Sequence, residues 1–212
     1  MILGIDLGTT FSSAAFISRS AQPKLIADQR MPGKYHSSSV VHIGPKGCIV
    51  GDLVEDLLDD DPTLHTARFA KLSMGQDVDF YSDHNGNRYR PEAISALVLR
   101  KLKEDAEVAT GEIVSEAVIT VPAHFNEKMR EATVNAGILA GLEVKGIIDE
   151  PVAAAAYFGL EQIEEEKTTF VFDMGGGTLD ATIVQITEKG LYVLATEGEK
   201  NVGGKNFDVV IM

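Results

Sequence analysis

The feature that most constrains this chain is a pattern it carries twice. GIDLGTTFSSAAFI at 4–17 and VFDMGGGTLDATIVQI at 171–186 each read as an apolar strand, an aspartate, one apolar residue, a Gly/Thr turn and a second apolar strand. A repeat at so long a separation is not a solenoid period. It points to two duplicated lobes that each present the same loop. The residue types suit phosphates: glycine lets backbone N–H groups approach an anion unobstructed, and threonine adds hydroxyl donors. Asp6 and Asp173 each end a buried strand, where a carboxylate is costly unless a positive group answers it. Mg²⁺ answers it well, because it keeps most of its waters and takes few protein carboxylates. Two such loops face to face would grip a nucleotide's phosphates from both sides. No G-x-x-x-x-G-K-[ST] occurs, and GGGTLD fails G-x-G-x-x-G at its last position.

Between the two copies, strands alternate with helices. Strands are expected at 2–6, 13–18, 24–28 and 39–43, and a short acidic helix at 50–60. Asn85-Gly86 predicts a hairpin in 83–89. Pro91 opens a helix whose apolar face is Ile94, Leu97, Val98 and Leu102, with Gly111 as its stop. A buried strand at 117–122 precedes an alanine-rich helix at 127–140. A strand at 145–148 then leads into a second small-residue helix at 151–158, and the strand 191–196 follows the second hairpin. Small side chains on two neighbouring helices predict close packing on a sheet. The alternation gives an α/β fold.

Composition narrows the function. With 44% hydrophobic and 24% charged residues, the 212-residue chain can bury a real core. No apolar run is long enough to span a bilayer, no signal peptide opens the sequence, and Cys48 has no cysteine partner within the chain. These features give a cytoplasmic expectation without membrane partners. A net charge of -13 with no basic stripe excludes a nucleic-acid backbone binder. Acidic residues crowd 52–61 (Asp52, Glu55, Asp56, Asp59, Asp60, Asp61), and Glu161, Glu164, Glu165 and Glu166 form a second cluster. Both read as solvated faces, with docking of a basic partner as the alternative.

Five ordered motifs together resemble the DnaK-type 70-kDa heat-shock chaperone family. GIDLGTTFS is similar to its first phosphate loop and FDMGGGTLD to its second. VPAHFNEKMREAT, IIDEPVAAAAYFGL and VGGKNFD resemble its VPAYFN, INEP-x-AAA and LGGEDFD segments. The resemblance implies the actin-like ATPase (ribonuclease H-like) fold of two lobes around a nucleotide cleft. The first lobe would be complete at 1–162, with 33–90 as its outer subdomain, and the second, 163–212, only begun. It implies an ATP-hydrolysing chaperone domain with ATP or ADP and Mg²⁺ as ligands. Nucleotide state would gate binding of unfolded peptides by a further C-terminal domain, with a J-domain cochaperone and a nucleotide exchange factor as partners. Rival readings are an actin-like filament ATPase and a sugar or acetate kinase of the same fold.

Matched onto this chain, Gly8, Thr9, Thr10 and Phe11 would form the first loop, and Gly175, Gly176, Gly177 and Thr178 the second. Gly203 and Gly204 would add nucleotide contacts. Asp6 and Asp173 would hold magnesium through its waters, Glu150 would lie near the attacking water, and Thr178 would reach the γ-phosphate. Lys71 would stabilise the transferred phosphoryl group, and Asp180 would support the second loop. Each has a plainer alternative: Lys71 a solvated lysine, Glu150 a helix cap before Pro151, and Asp180 a residue that ties down a turn. Pro122 and Arg130 resemble residues that pass the nucleotide state onward, and are otherwise a strand-ending proline and a surface arginine. The chain departs from the family at Phe11, Leu72, His124, Asp149 and Lys205-Asn206. At Gly146 the family commonly has an arginine for its J-domain partner. The last residues, FDVVIM, read as a helix just begun. The expectation is a truncated lobe, with weak MgATP binding and negligible turnover by these 212 residues alone.

Overall fold

The computed structural model describes residues 1–159, 166–200 and 202–211. The acidic positions Glu161, Glu164 and Glu165 and the expected boundary at 162 lie outside them. β1 (Ile2–Asp6) alternates exposed and buried residues, with Leu3 and Ile5 fully buried. It pairs antiparallel with β2 (Phe11–Ile17), which pairs in turn with β3 (Pro23–Leu25) and with β4 (Ser37–Ser38). An outer region follows, with β5 (Val40–Gly44) between β6 (Gly47–Val50) and β7 (Ala67–Arg68), helix α1 (Asp52–Asp60), and the small hairpin β8 (Tyr81–Ser82) and β9 (Arg88–Tyr89). Helix α2 (Pro91–Thr110) starts on its proline and stops at Gly111, whose left-handed φ of 69° breaks the helix. It buries Ile94, Val98, Leu99 and Leu102.

β10 (Glu116–Val121) lies parallel to β1, and β11 (Glu143–Asp149) lies parallel to β10, linked by α3 (Glu127–Leu139). Asn126 caps α3 by accepting from the Met129 amide at 3.1 Å. The sheet order is β11-β10-β1-β2-β3, a mixed sheet with its parallel half joined through a helix. The expected close packing is present: Ala132 and Ala136 of α3 are buried, and a Cβ at Gly137 would strike Val144 of β11. β11 runs directly into α4 (Glu150–Gly159), which packs on a second, antiparallel sheet of β12 (Lys167–Met174), β13 (Thr178–Thr187) and β14 (Gly190–Lys200). α5 (Gly204–Ile211) ends the described residues.

Several expected boundaries move. β2 starts at Phe11 rather than 13, because Phe11 and Ser12 also pair with β4. β3 ends at Leu25, as Asp28 is drawn inward to a buried lysine. β11 and β14 extend beyond 145–148 and 191–196, since neighbouring strands on β10 and β13 satisfy their backbones. The 83–89 hairpin forms, but Asn85-Gly86 is not a two-residue turn. The Asp83 carboxylate accepts from the Asn85 and Asn87 amides at 2.9 Å and organises a longer loop.

The largest surprise in the core is ionic. Lys101 on α2, 4% exposed, donates to Asp28, to Asp105 at 2.5 Å and to Ser37 Oγ at 2.6 Å. Beside it, Asp52 accepts from Lys34 at 2.6 Å and from the Ser38 amide at 3.1 Å.

Candidate active site

Both repeated hairpins place their aspartate against the same position of the returning strand: Asp6 faces Ser13, and Asp173 faces Asp180. The duplication is therefore one of strand register as well as of residue type. Asp6 and Asp173 border one cavity of about 480 Å³, together with Thr120 and Glu150. Ala153, Ala154, Phe158, Val171 and Phe172 supply its apolar wall. The parallel register sets Thr120 of β10 beside Asp6, and its hydroxyl donates to Asp6 Oδ1 at 3.2 Å. Sequence reasoning passed over Thr120; a lone threonine near the end of the apolar strand AVITV was the available signal.

Lys71 does not line this cavity but meets Glu150, which does, through an unusual turn. Phe69 adopts left-handed backbone (φ 61°), which starts a short 3₁₀ turn, Ala70–Ser73, and aims Lys71 inward. Its side chain is 7% exposed, and Nζ donates to Glu150 Oε1 at 2.6 Å. Glu150 opens α4, yet its carboxylate meets Lys71 rather than standing free at the helix end. Burial pushes Glu150 above the usual carboxylate range, Lys71 opposes that rise, and Asp6 and Asp173 add to it. Asp173 is likewise pushed up, first by burial and then by the charges of Asp6 and Asp180, against the pull of Lys71. The group is short of positive charge, and its donors are hard oxygens, which suits a divalent cation. Among the described residues no three His, Cys, Asp or Glu side chains converge to chelate a metal directly. A cation there would be held by Asp6 and Asp173 through its own waters.

The two Gly/Thr loops meet edge to edge. A Cβ on Gly176 would strike the Thr10 side chain, and one on Gly177 would lie 2.9 Å from Thr9 Cγ2 and 3.1 Å from Leu72 Cδ2. Close approach of the loops therefore requires glycine at both positions. The Gly8 amide donates to Ser12 Oγ at 3.1 Å, and the Gly175 amide to the Thr178 carbonyl at 2.9 Å. Gly203 precedes α5 and Gly204 begins it, where Gly204 N donates to Gly175 O and Lys205 N to Gly176 O. Thr9 and Thr178 are buried beside these turns. Phe11 is half exposed and packs edge-on against His36. The lining of the cavity includes Asp6, Asp173 and Glu150 but none of Phe11, the two Gly/Thr loops, Gly203 and Gly204.

A protein-family model described as Hsp70 protein matches residues 66–212, more than half of the chain. The chain belongs to the Hsp70 family. Hsp70 proteins are chaperone ATPases of the actin-like fold that bind ATP or ADP with Mg²⁺, and the α/β architecture with its mixed sheet agrees with that fold. The Hsp70 match includes Lys71, Glu150, Asp173, the second loop and Gly203-Gly204. It begins after Asp6, Gly8, Thr9, Thr10 and Phe11, whose placement rests on the repeated hairpin.

Several departures from the Hsp70 pattern have visible partners. Leu72 packs against Gly177, and Lys205 sits 4.4 Å over the Phe69 ring. Asp149 pairs with Arg130 at 2.6 Å, so that arginine is held beside Glu150 and does not range over the surface. His124 meets Asp180. At Gly146 a Cβ would touch nothing, so packing does not impose the missing arginine.

Proposed function

We propose that this chain supplies the nucleotide-binding and ATP-hydrolysing part of a chaperone whose nucleotide state gates peptide binding elsewhere in the full-length protein. The observation that carries the reading is the shared cavity: both repeated aspartates border it, and Glu150 there is ion-paired to a buried Lys71. Gly8, Thr9, Thr10 and Gly175–Thr178 would receive the phosphates. Asp6 and Asp173 would hold hydrated Mg²⁺, which neutralises charge on the phosphates. Glu150 would orient the attacking water. Lys71 would meet the charge that grows on the transferred phosphoryl group, where hydrolysis gains most of its rate.

The lobes are proposed to divide near 162, with 33–90 as an outer subdomain. Client peptides, a J-domain cochaperone and an exchange factor are proposed partners, and a reducing cytoplasmic setting agrees with the exposed, unpaired Cys48. No helix among the described residues is long and apolar enough to cross a membrane. The family match favours this reading over a filament protein or a sugar kinase. Steady-state ATP turnover by the full-length protein, with and without Mg²⁺ and an unfolded peptide, tests it. Mg²⁺-dependent hydrolysis stimulated by peptide is expected, and phosphorylation of a sugar or acetate would overturn it.

A further inference from the structure

His124 and Asp180 form a buried pair beside the second phosphate loop. His124 lies in the short connection between β10 and α3, and its Nδ1 is 2.8 Å from Asp180 Oδ1 on β13. The Asp180 side chain is 2% exposed. An ionised carboxylate can only accept, so Nδ1 carries the hydrogen and donates. The pair joins the connection after β10 of the first sheet to β13 of the second. β14 makes room for it, because Gly198 lies opposite Asp180 and a Cβ there would strike the carboxylate and crowd Nδ1.

The position of Asp180 gives the contact its consequence. Thr178, Asp180 and Thr182 share the buried face of β13, and Asp180 faces Asp173 across the hairpin. A group that fixes Asp180 therefore fixes the strand that carries Thr178 and sets the side-by-side spacing of the two aspartates. His124 itself is anchored from the first sheet. Phe125 N donates to Pro122 O at 3.0 Å, and the Phe125 ring stands edge-on to the imidazole at 5.7 Å.

We infer that His124 is a positioning residue for ATP hydrolysis, which holds the second phosphate hairpin in register with the first through its hydrogen bond to Asp180. It acts at a distance from the phosphates, by fixing β13, which carries Thr178 and pairs with the strand of Asp173. The inference rests on the proposed ATPase reading. Small displacements of reacting groups are costly: about 1 Å can lose ~10²-fold in rate. The loss should fall on kcat, since ground-state phosphate contacts come chiefly from backbone amides of the loops.

The test is steady-state ATP turnover by the full-length protein carrying His124→Leu, His124→Asn or Asp180→Asn, each checked by circular dichroism for intact fold. His124→Leu is expected to lower kcat by about 10-fold or more while KM changes several-fold at most. His124→Asn, which keeps a donor near the Nδ1 position, should recover most of that rate. Asp180→Asn added to His124→Leu should cost little more than either alone. An unchanged kcat in His124→Leu overturns the inference, as does a loss confined to KM or an Asn variant as impaired as Leu. Wild-type protein without Mg²⁺-dependent turnover would instead remove the ATPase reading itself, so the two failures are distinguishable.

Discussion

Lys71 and Asp173 show at single-residue scale how this site differs from a stable core. Lys71 donates to Glu150 in the ground state, yet its proposed work lies in the transition state. Lys71→Ala in the full-length protein should lower kcat by about 10²-fold or more and weaken ATP binding far less. Thr178→Ala should do the same more mildly. Comparing single-turnover rates with equilibrium binding checks both, and equal losses would make Lys71 a plain anchor. Asp173 bears on stability. Its pKa is raised on folding, so its contribution to stability is full below the unfolded value near 3.8 and is lost as pH rises through the folded one. At neutral pH the nucleotide-free protein therefore carries a penalty that Asp173→Asn removes. The variant should melt higher at pH 7 than the wild type. The advantage should vanish below about pH 3.8. A melting series against pH decides it, and a variant less stable at pH 7 would contradict the assigned direction.

Elements whose signals are local were legible in the sequence. Pro91 and Gly111 bracket α2, and both phosphate hairpins lie where the repeat puts them. Signals that depend on tertiary partners were not. Strand ends at Leu25 and Lys200 are set by neighbours far along the chain, and nothing in sequence spacing ties His124 to Asp180 or Lys101 to Asp28. Phe11 belongs to the first loop by its place in the motif, and its contact with His36 from β2 is not visible in that spacing. Gly146 makes an element-scale prediction. It sits on β11 beside a register shift in the β10 pairing, with open space where a side chain would go. Gly146→Arg should therefore leave the melting temperature within about 2 °C of wild type, as surface changes within ~0.5 kcal/mol do. It should also strengthen binding to a J-domain cochaperone. A large loss of stability would show that the strand needs glycine there.

At the scale of the whole molecule, the first sheet and the outer region are fastened by charge as well as by apolar packing. Lys101 on α2 holds Asp28 beyond β3 and Ser37 of β4, while Lys34 and Asp52 repeat the device beside it. Removing one partner of a buried pair leaves the other charge uncompensated. Lys101→Met should accordingly cost about 3–5 kcal/mol in urea unfolding. Burial pushes Asp28 and Asp52 up, but their hydrogen bonds together outweigh it and hold both below the usual carboxylate range: Lys101, Ser37 and the Arg30 amide at Asp28, Lys34 and the Ser38 amide at Asp52. Their contribution is present above about pH 3.8 and lost as pH falls through their lower folded values. The same architecture brings the aspartates of both hairpins onto one cavity. Calorimetric titration of MgADP into the full-length protein and its Asp6→Asn, Asp173→Asn and double variants tests it most directly. Both single variants should lose the Mg²⁺-dependent part of the affinity, and the double variant should lose little more, because one hydrated cation needs both carboxylates. Losses that simply add, or a Mg²⁺ dependence untouched by either change, would contradict a shared site.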